Sequence, residues 1–149
     1  MNILILNGPN LNMLGIREPE VYGNKTYKQL EEYLVSLEPI YNITTDIKQT
    51  NYEGILIDLI QYANDHFDGV ILNAGAFTHY SYGLYDAIKS VNIPVVEVHL
   101  SDITKREEFR KTSVIKDACV NTFMGFGFES YKKGIEELLK GREIAWLLK

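Results

Sequence analysis

Short apolar runs alternate along this chain with longer segments in which apolar residues recur every three or four positions. The short runs are typical of buried β-strands, and the longer spacing is typical of amphipathic helices. Five runs are predicted as strands: Ile3 to Leu6, the alternating Ile43, Thr45 and Ile47, Val70 to Leu72, Val95 to Val98, and Val120 to Met124. Three apolar stripes are predicted as helices: Tyr27 to Leu37, Leu56 to Phe67, and Tyr131 to Leu139.

Residues that begin or end regular structure stand at the borders of these segments. Thr26, Asn51 and Ser130 occupy positions where helix N-caps are expected, because their side chains accept hydrogen bonds from free backbone N–H groups. Gly69 and Pro94 each stand directly ahead of a strand. Strands that alternate with helices of this length predict a parallel sheet covered on both faces. We therefore expect an α/β fold, a flavodoxin-like doubly wound sheet of five strands in three αβα layers.

The composition fits one globular domain. The chain has 149 residues, of which 46% are hydrophobic and 23% charged. No repeat, linker or shift in composition divides it, so a single domain over residues 1–149 is predicted. Cys119 is the only cysteine, and neither an internal disulfide nor a cysteine-rich zinc site is expected.

Charge and hydropathy limit the classes of partner that are expected. Twenty acidic against fifteen basic residues give a net charge of −5, the wrong sign for a general nucleic-acid surface. The longest fully apolar run, Ile144 to Leu148, is far shorter than the roughly 20 residues that span a bilayer. The chain starts without a visible secretory signal. We expect a cytoplasmic protein that binds neither nucleic acid nor membrane.

The connection from Gly8 to Gly23 is long for an α/β turn, which typically takes about 2 to 6 residues. It contains three glycines and two prolines, and it adds Arg17, Glu18 and Tyr22. Long connections of this kind in compact domains are usually functional. We predict an active-site lid at about residues 15–23, mobile in the absence of a ligand because it offers few apolar anchors.

Ligands of open parallel sheets bind beyond the carboxyl ends of the strands, so residues after each strand are the candidate site. These residues are Asn7, Gly8, Pro9, Asn10 and Asn12, then Asn73, Ala74, Gly75, Thr78 and His79, then His99, Ser101 and Asp102, with Glu97, Arg106 and Arg110 nearby. The glycines and asparagines serve equally well as turn formers. His99 is a stronger candidate, because an imidazole paired with Glu97 suits proton transfer near neutrality.

Several common chemistries lack their motifs. The chain has no Walker lysine loop, no HExxH, no GxSxG and no cluster of cysteines and histidines for zinc. A GxGxxS pattern at Gly125, Gly127 and Ser130 follows the last strand instead of the first, which makes it a weak dinucleotide site. We expect neither a metal nor a cofactor. Proton chemistry on a small polar substrate remains.

Tyr22 and His99 are a possible base and acid on different elements. A tyrosine acts as a base near neutrality only if its pKa falls from about 10, and a neighbouring arginine favours that change. Arg17 lies in the same long connection, which can fold over the site and exclude water. A base and an acid on separate elements suit an elimination.

The chain resembles the type II 3-dehydroquinate dehydratases from end to end. The resemblance is carried by Ile5 to Gly15 with Arg17 to Pro19, Tyr22 and Gly23, then Leu72 to His79, Glu97 to Ser101, and Arg106 to Arg110. Four separate blocks in the right order over one small domain are highly specific. The sequence departs from the family pattern at Tyr52, Tyr85, Asp102 and Thr112.

The resemblance implies a shikimate-pathway enzyme that dehydrates 3-dehydroquinate by anti elimination through an enolate, without metal, cofactor or Schiff base. It implies Tyr22 as the base activated by Arg17, His99 as the acid oriented by Glu97, and Asn10 as the group that stabilises the enolate through a water. Substrate binders implied in the same way are Asn73, His79, Leu100, Ser101 and Arg110, with Asp86 contributed by a neighbouring subunit. The implied assembly is a homododecamer of four trimers.

Two other functions stay open. The first is a flavodoxin-like module that binds a flavin or a nucleotide phosphate with the Gly8 and Gly75 loops as backbone cradles. The second is a catalytically silent assembly subunit, in which the many tyrosines make contacts. Arg17, Tyr22 and His99 together argue against the second, because a scaffold requires none of them.

Overall fold

The computed structural model describes residues 1–149 and contains five β-strands and six α-helices. The strands are β1 Asn2–Asn7, β2 Thr44–Gln49, β3 Gly69–Asn73, β4 Val95–His99 and β5 Asn121–Met124. The helices are α1 Pro19–Tyr22, α2 Tyr27–Ser36, α3 Glu38–Tyr41, α4 Glu53–His66, α5 Tyr82–Ser90 and α6 Glu129–Leu147. Short 3₁₀ helices cover Leu11–Met13, Gly75–His79, Ile103–Lys105, Glu108–Arg110 and Lys116–Ala118.

The five strands form one sheet in the order β2-β1-β3-β4-β5, and every neighbouring pair is parallel. This confirms the predicted flavodoxin-like fold. The strand order reverses between β1 and β3, which makes this the topological switch point of the sheet. A crevice is therefore expected beyond their carboxyl ends, where Asn7 and Asn73 are partners in the register.

Two apolar layers cover the sheet, because successive side chains of a strand point to opposite faces. Along β1, Ile3 and Ile5 face one layer, while Leu4 and Leu6 face the other. The first layer is closed by α2 and α6, and the second by α4 and α5. Strands buried on both faces explain why their sequences are short continuous apolar runs.

One predicted helix cap is confirmed and two are wrong. Thr26 forms a capping box on α2, in which its hydroxyl accepts from the Gln29 N–H and the Gln29 side chain accepts from the Thr26 N–H. Asn51 does not cap α4, whose N-cap is Tyr52; its Oδ1 accepts instead from the Asn10 N–H. Ser130 lies inside the first turn of α6, where its hydroxyl accepts from the Phe126 N–H.

The predicted lid is partly helical. Within residues 15–23, the turn α1 begins at Pro19 and carries Tyr22 at its end. None of these nine residues is buried. In the whole structure, no helix combines the length and the apolar character that crossing a membrane requires.

Candidate active site

A cleft opens at the carboxyl ends of β1, β3 and β4. The Gly8 N–H donates to the Asn73 carbonyl at 2.7 Å, which ties the loops after β1 and β3 together. A Cβ atom on Gly8 would lie 2.6 Å from the Ala74 carbonyl oxygen, so only glycine permits this approach. This close contact between two backbone segments forms the floor of the cleft.

Most of the predicted site residues line this cleft. The lining residues are Pro9, Leu11, Arg17, Tyr22, Asn73, Gly75, Ala76, His79, His99, Leu100, Ser101, Ile103, Arg106 and Arg110. They come from the loop after β1, the lid, the end of β3 and the loop after it, the end of β4 and the segment that follows β4. The space open to the centre of a water molecule is about 40 Å³, enough for roughly three waters.

Glu97 lies behind His99 and holds it. The Glu97 carboxylate is fully buried, and its Oε1 lies 2.7 Å from His99 Nε2. Burial raises the pKa of Glu97, but the hydrogen bond and charge of His99, together with the hydroxyls of Ser113 and Thr78, outweigh it, so the pKa is lowered overall. The carboxylate is therefore ionised and accepts a hydrogen bond from the Nε2–H group of His99.

Tyr22 lies between two guanidinium groups. Arg106 donates from Nη1 to the Tyr22 hydroxyl at 2.9 Å, and its Cζ atom lies 5.2 Å from the ring centroid. The Cζ atom of Arg17 lies 5.0 Å from the same centroid. Desolvation lowers the pKa of Arg106, but the hydrogen bond to Tyr22 and the carboxylates of Glu107 and Glu18 outweigh it, so the pKa is raised overall. Both guanidinium groups favour negative charge on the phenol oxygen.

Two further basic residues, Arg110 and His79, line the cleft. Arg110 packs against the Phe109 ring, and its Nε atom is buried without a hydrogen bond, although a Glu107 carboxylate oxygen lies 3.2 Å away. Burial lowers the pKa of His79, and the charges of His99, Arg110 and Arg106 add to this, against a hydrogen bond to the Thr112 carbonyl. A cleft with this charge and an unpaired donor suits an anionic ligand.

Asn73 is held by a buried hydrogen-bond network. Its Nδ2 donates to the Tyr131 hydroxyl at 3.0 Å, and its Oδ1 accepts from the Gly75 N–H at 3.2 Å. The Tyr131 hydroxyl donates in turn to Asn7 Oδ1 at 2.6 Å. Burial raises the pKa of Tyr131, which stays a neutral donor. Asn73 thus reaches the cleft with its amide orientation fixed.

Three predicted site residues do not line the cleft: Glu97, which lies behind His99, Asn10 and Asp86. Asn10 has left-handed backbone dihedrals and an exposed side chain, and its N–H donates to Asn51. Asp86 is exposed on α5. Neither contributes to the lining within one chain.

Arg106 lies in the site, but the sequence analysis predicted no role for it. It belongs to the block from Arg106 to Arg110 but reaches the Tyr22 hydroxyl only in the folded chain. Thr78, Ser113 and Thr122, which contact the Glu97 carboxylate, are likewise not signalled as a set, because they lie far apart along the chain. Their proximity is a product of the sheet register and of the connection between β4 and β5.

The glycine loops serve chain packing. A Cβ atom on Gly75 would lie 3.1 Å from Pro9, and the space at Gly8 is filled by Ala74. The two loops pack on each other, and both glycine N–H groups are already bonded, that of Gly8 to the Asn73 carbonyl and that of Gly75 to Asn73 Oδ1. No three His, Cys, Asp or Glu side chains are grouped as metal ligands.

The fold and the cleft define a class: a flavodoxin-like α/β protein with a tyrosine and a histidine–glutamate pair at a cleft lined by three arginines. The family model for class II dehydroquinases matches residues 1–139, and the chain belongs to this family.

Two sequence relatives and a solved structure agree with this family assignment. The chain is 49% identical to the 3-dehydroquinate dehydratase of Clostridium acetobutylicum, over 93% of this chain and 96% of that protein. It is 54% identical to that of Caldicellulosiruptor saccharolyticus, over 87% and 90%. The crystal structure of a type II dehydroquinase from Butyrivibrio crossotus superposes with a TM-score of 0.91 at 44% identity, over 93% and 97% of the two chains.

Proposed function

We propose that this chain removes water from 3-dehydroquinate to give 3-dehydroshikimate, by anti elimination through an enolate. The observation that carries the proposal is that the Tyr22 side chain on the lid and the His99 imidazole at the end of β4 line one cleft. An elimination requires one group that removes a proton and another that protonates the departing hydroxyl. The names of the relatives support the choice of substrate and imply a role in the shikimate pathway.

Tyr22 is the proposed base. As a phenolate it takes a proton from the carbon next to the ketone, and the electron pair moves onto the carbonyl oxygen as an enolate. Arg106, which bonds its hydroxyl at 2.9 Å, and Arg17, which lies over its ring, stabilise the phenolate. The lid brings Arg17 and Tyr22 to the cleft together, so closure assembles the base with its activating cation.

His99 is the proposed acid. When the enolate collapses, the bond to the leaving hydroxyl breaks and His99 supplies the proton that converts it to water. The buried carboxylate of Glu97 at 2.7 Å stabilises the imidazolium and holds the ring in place. Nε2 faces Glu97, so Nδ1 is the nitrogen that remains for the substrate.

The remaining cleft residues are the proposed substrate binders. Arg110 and His79 face the cleft as groups for the substrate carboxylate. Asn73, the Ser101 hydroxyl and the backbone N–H groups of Leu100 and Ser101 are assigned to carboxylate and hydroxyl oxygens, because these residues also line the cleft. The enolate oxygen is assigned to Asn10 through a water, which requires the Asn10 side chain to turn toward the cleft when substrate is bound.

The proposal includes the assembly and the location. Asp86 is exposed on α5 and is proposed to complete the site of a neighbouring subunit. The exposed Tyr80, Tyr82 and Phe109 offer apolar surface for such contacts. We propose a cytoplasmic homododecamer of four trimers, and analytical ultracentrifugation tests its mass.

A direct assay tests the activity. The purified chain is mixed with 3-dehydroquinate, and the ultraviolet absorbance of the conjugated enone product is followed. A rise in proportion to protein concentration is expected. A folded, colourless preparation that produces no enone would refute the dehydratase, and a visible flavin spectrum would favour the alternative binding module.

A further inference from the structure

The Glu97 carboxylate is surrounded by hydroxyl groups. Its Oε1 accepts from Thr78 Oγ1 at 2.5 Å and from Ser113 Oγ at 2.6 Å, in addition to its contact with His99 Nε2 at 2.7 Å. Its Oε2 accepts from Thr122 Oγ1 at 3.1 Å. Every oxygen of this buried side chain therefore has at least one protein donor.

The three hydroxyls come from three separate parts of the fold. Thr78 lies in the 3₁₀ helix after β3 and is fully buried, and Ser113 lies in the connection between β4 and β5. Thr122 on β5 is the partner of Glu97 in the parallel register. The hydroxyl groups around Glu97 are therefore supplied by the 3₁₀ helix after β3, the connection between β4 and β5, and β5 itself.

A buried carboxylate stays ionised only when donors replace the water that it has lost. An ionised carboxylate only accepts hydrogen bonds, so the His99 nitrogen that faces it must carry a proton. A protonated Glu97 has its own O–H and permits the opposite arrangement, with the proton on Nδ1 of a neutral imidazole. The hydroxyls therefore decide which histidine nitrogen is available to a ligand.

The groups around His99 other than Glu97 are basic or neutral. The cleft carries no acidic side chain among its lining residues. The basic groups that face it are Arg17, Arg106, Arg110 and His79. Glu18 and Glu107 pair with the arginines at the rim. On the far side of Glu97, burial raises the pKa of the Cys119 thiol, which stays neutral. Glu97 is thus the one anion in direct contact with the His99 imidazole.

We propose that Thr78, Ser113 and Thr122 are positioning residues, whose hydroxyls keep Glu97 an acceptor, hold the proton on His99 Nε2 and stabilise the imidazolium. This proposal rests on the proposed role of His99 as the acid. Loss of a hydroxyl weakens the hold of Glu97 on the imidazolium, which is the form that donates the proton. The alkaline limb of the rate–pH profile then moves to lower pH.

The test uses Ser113→Ala and Thr78→Val in the full-length chain. We expect kcat to fall about tenfold in each variant, with KM changed less than twofold and with the alkaline limb shifted to lower pH. The conservative variants Thr78→Ser and Ser113→Thr keep a hydroxyl and are expected to restore both. Thr44→Val and Ser36→Ala make the same chemical changes away from the cleft and are the matched controls.

A second readout does not depend on turnover. The ¹⁵N shifts of the His99 ring distinguish a proton on Nε2 from one on Nδ1, and in the neutral state we expect the Nε2–H form in the wild type and a loss of this preference in the two variants. Folded variants with wild-type pH profiles and wild-type ring shifts overturn the proposal. If the wild type does not dehydrate 3-dehydroquinate, the proposed function fails, while the ring shifts still decide whether the hydroxyls position His99.

Discussion

Arg106 donates a hydrogen bond to the Tyr22 hydroxyl at 2.9 Å, although 84 residues separate the two along the chain. The contact joins the lid to the segment after β4, and it is the one side-chain hydrogen bond that links residues 15–23 to the rest of the protein. This hydrogen bond therefore fastens the lid to the segment after β4 and places a cation on the proposed base.

Tyr22→Phe removes the proposed base and leaves the ring. We expect kcat to fall by about 10²- to 10⁴-fold, the usual contribution of a positioned base, with a small change in KM. The measurement is the initial rate of enone formation from 3-dehydroquinate. Tyr62→Phe, on the exposed face of α4, is the control and should keep full activity. Near-normal turnover by the Tyr22→Phe variant would remove Tyr22 from the mechanism.

Arg106→Met removes the cation on the Tyr22 hydroxyl. The proposed phenolate then loses the cation that bonds its oxygen, and the rising limb of the kcat/KM profile should move to higher pH. At neutral pH the rate should fall about 10- to 100-fold, which corresponds to the loss of a hydrogen bond to a charged group. Arg106→Lys keeps the charge and should lose less. Arg142→Met, near the exposed end of α6, is the control, and a rising limb that stays in place contradicts the assignment.

The fold was predictable because it depends on local patterns. Apolar runs such as Ile3 to Leu6 and Val95 to Val98 mark strands buried on both faces, and their alternation with helical stripes leaves few topologies. The capping box at Thr26 is also local. The prediction that Asn51 caps α4 was wrong because its side-chain oxygen accepts a hydrogen bond from the backbone N–H of Asn10, 41 residues earlier in the chain. Propensity along the chain carries no information about such competition.

The candidate site shows the same division. Residues at the ends of β1, β3 and β4 could be predicted to share a rim, since parallel strands bring their carboxyl ends together. The contact of Arg106 with Tyr22 could not, because it depends on how the lid folds back. The hydroxyls around Glu97 depend on strand register and loop path, which no motif in the sequence encodes.

His79 links stability to pH. Its pKa is lowered by burial, so the unfolded chain binds the proton more tightly than the folded chain does. The stability from this residue is complete above the unfolded pKa of about 6.5 and is lost as the pH falls from there through the lower folded pKa. We expect the urea denaturation midpoint to drop between about pH 7.5 and 5.5, and to drop less in His79→Gln. His66→Gln, at the exposed end of α4, should behave as the wild type. The same dependence of the urea midpoint on pH in all three proteins would contradict the assignment.

The mechanism predicts no imine. No lysine lines the cleft, and Lys48 lies on the edge strand β2 beside Asp46. Treatment with borohydride in the presence of 3-dehydroquinate should therefore leave activity unchanged relative to treatment without substrate. Intact-mass measurement should find no reduced adduct. A substrate-dependent adduct on any lysine shows a Schiff-base route instead of the proposed enolate route.

The lid should open and close. The backbone hydrogen bonds of residues 16–23 are made to Met13, Glu18 and Pro19, all within the connection itself, and Ile16 is 73% exposed. We expect amide hydrogens of residues 15–23 to exchange quickly in the free protein and to slow when substrate or product is bound, because few buried contacts hold the segment. Helix α2, whose Leu30 and Leu34 are fully buried, is the internal control and should exchange slowly in both states. Slow exchange over residues 15–23 without a ligand would mean that the segment is rigid, and substrate would then need another route into the cleft.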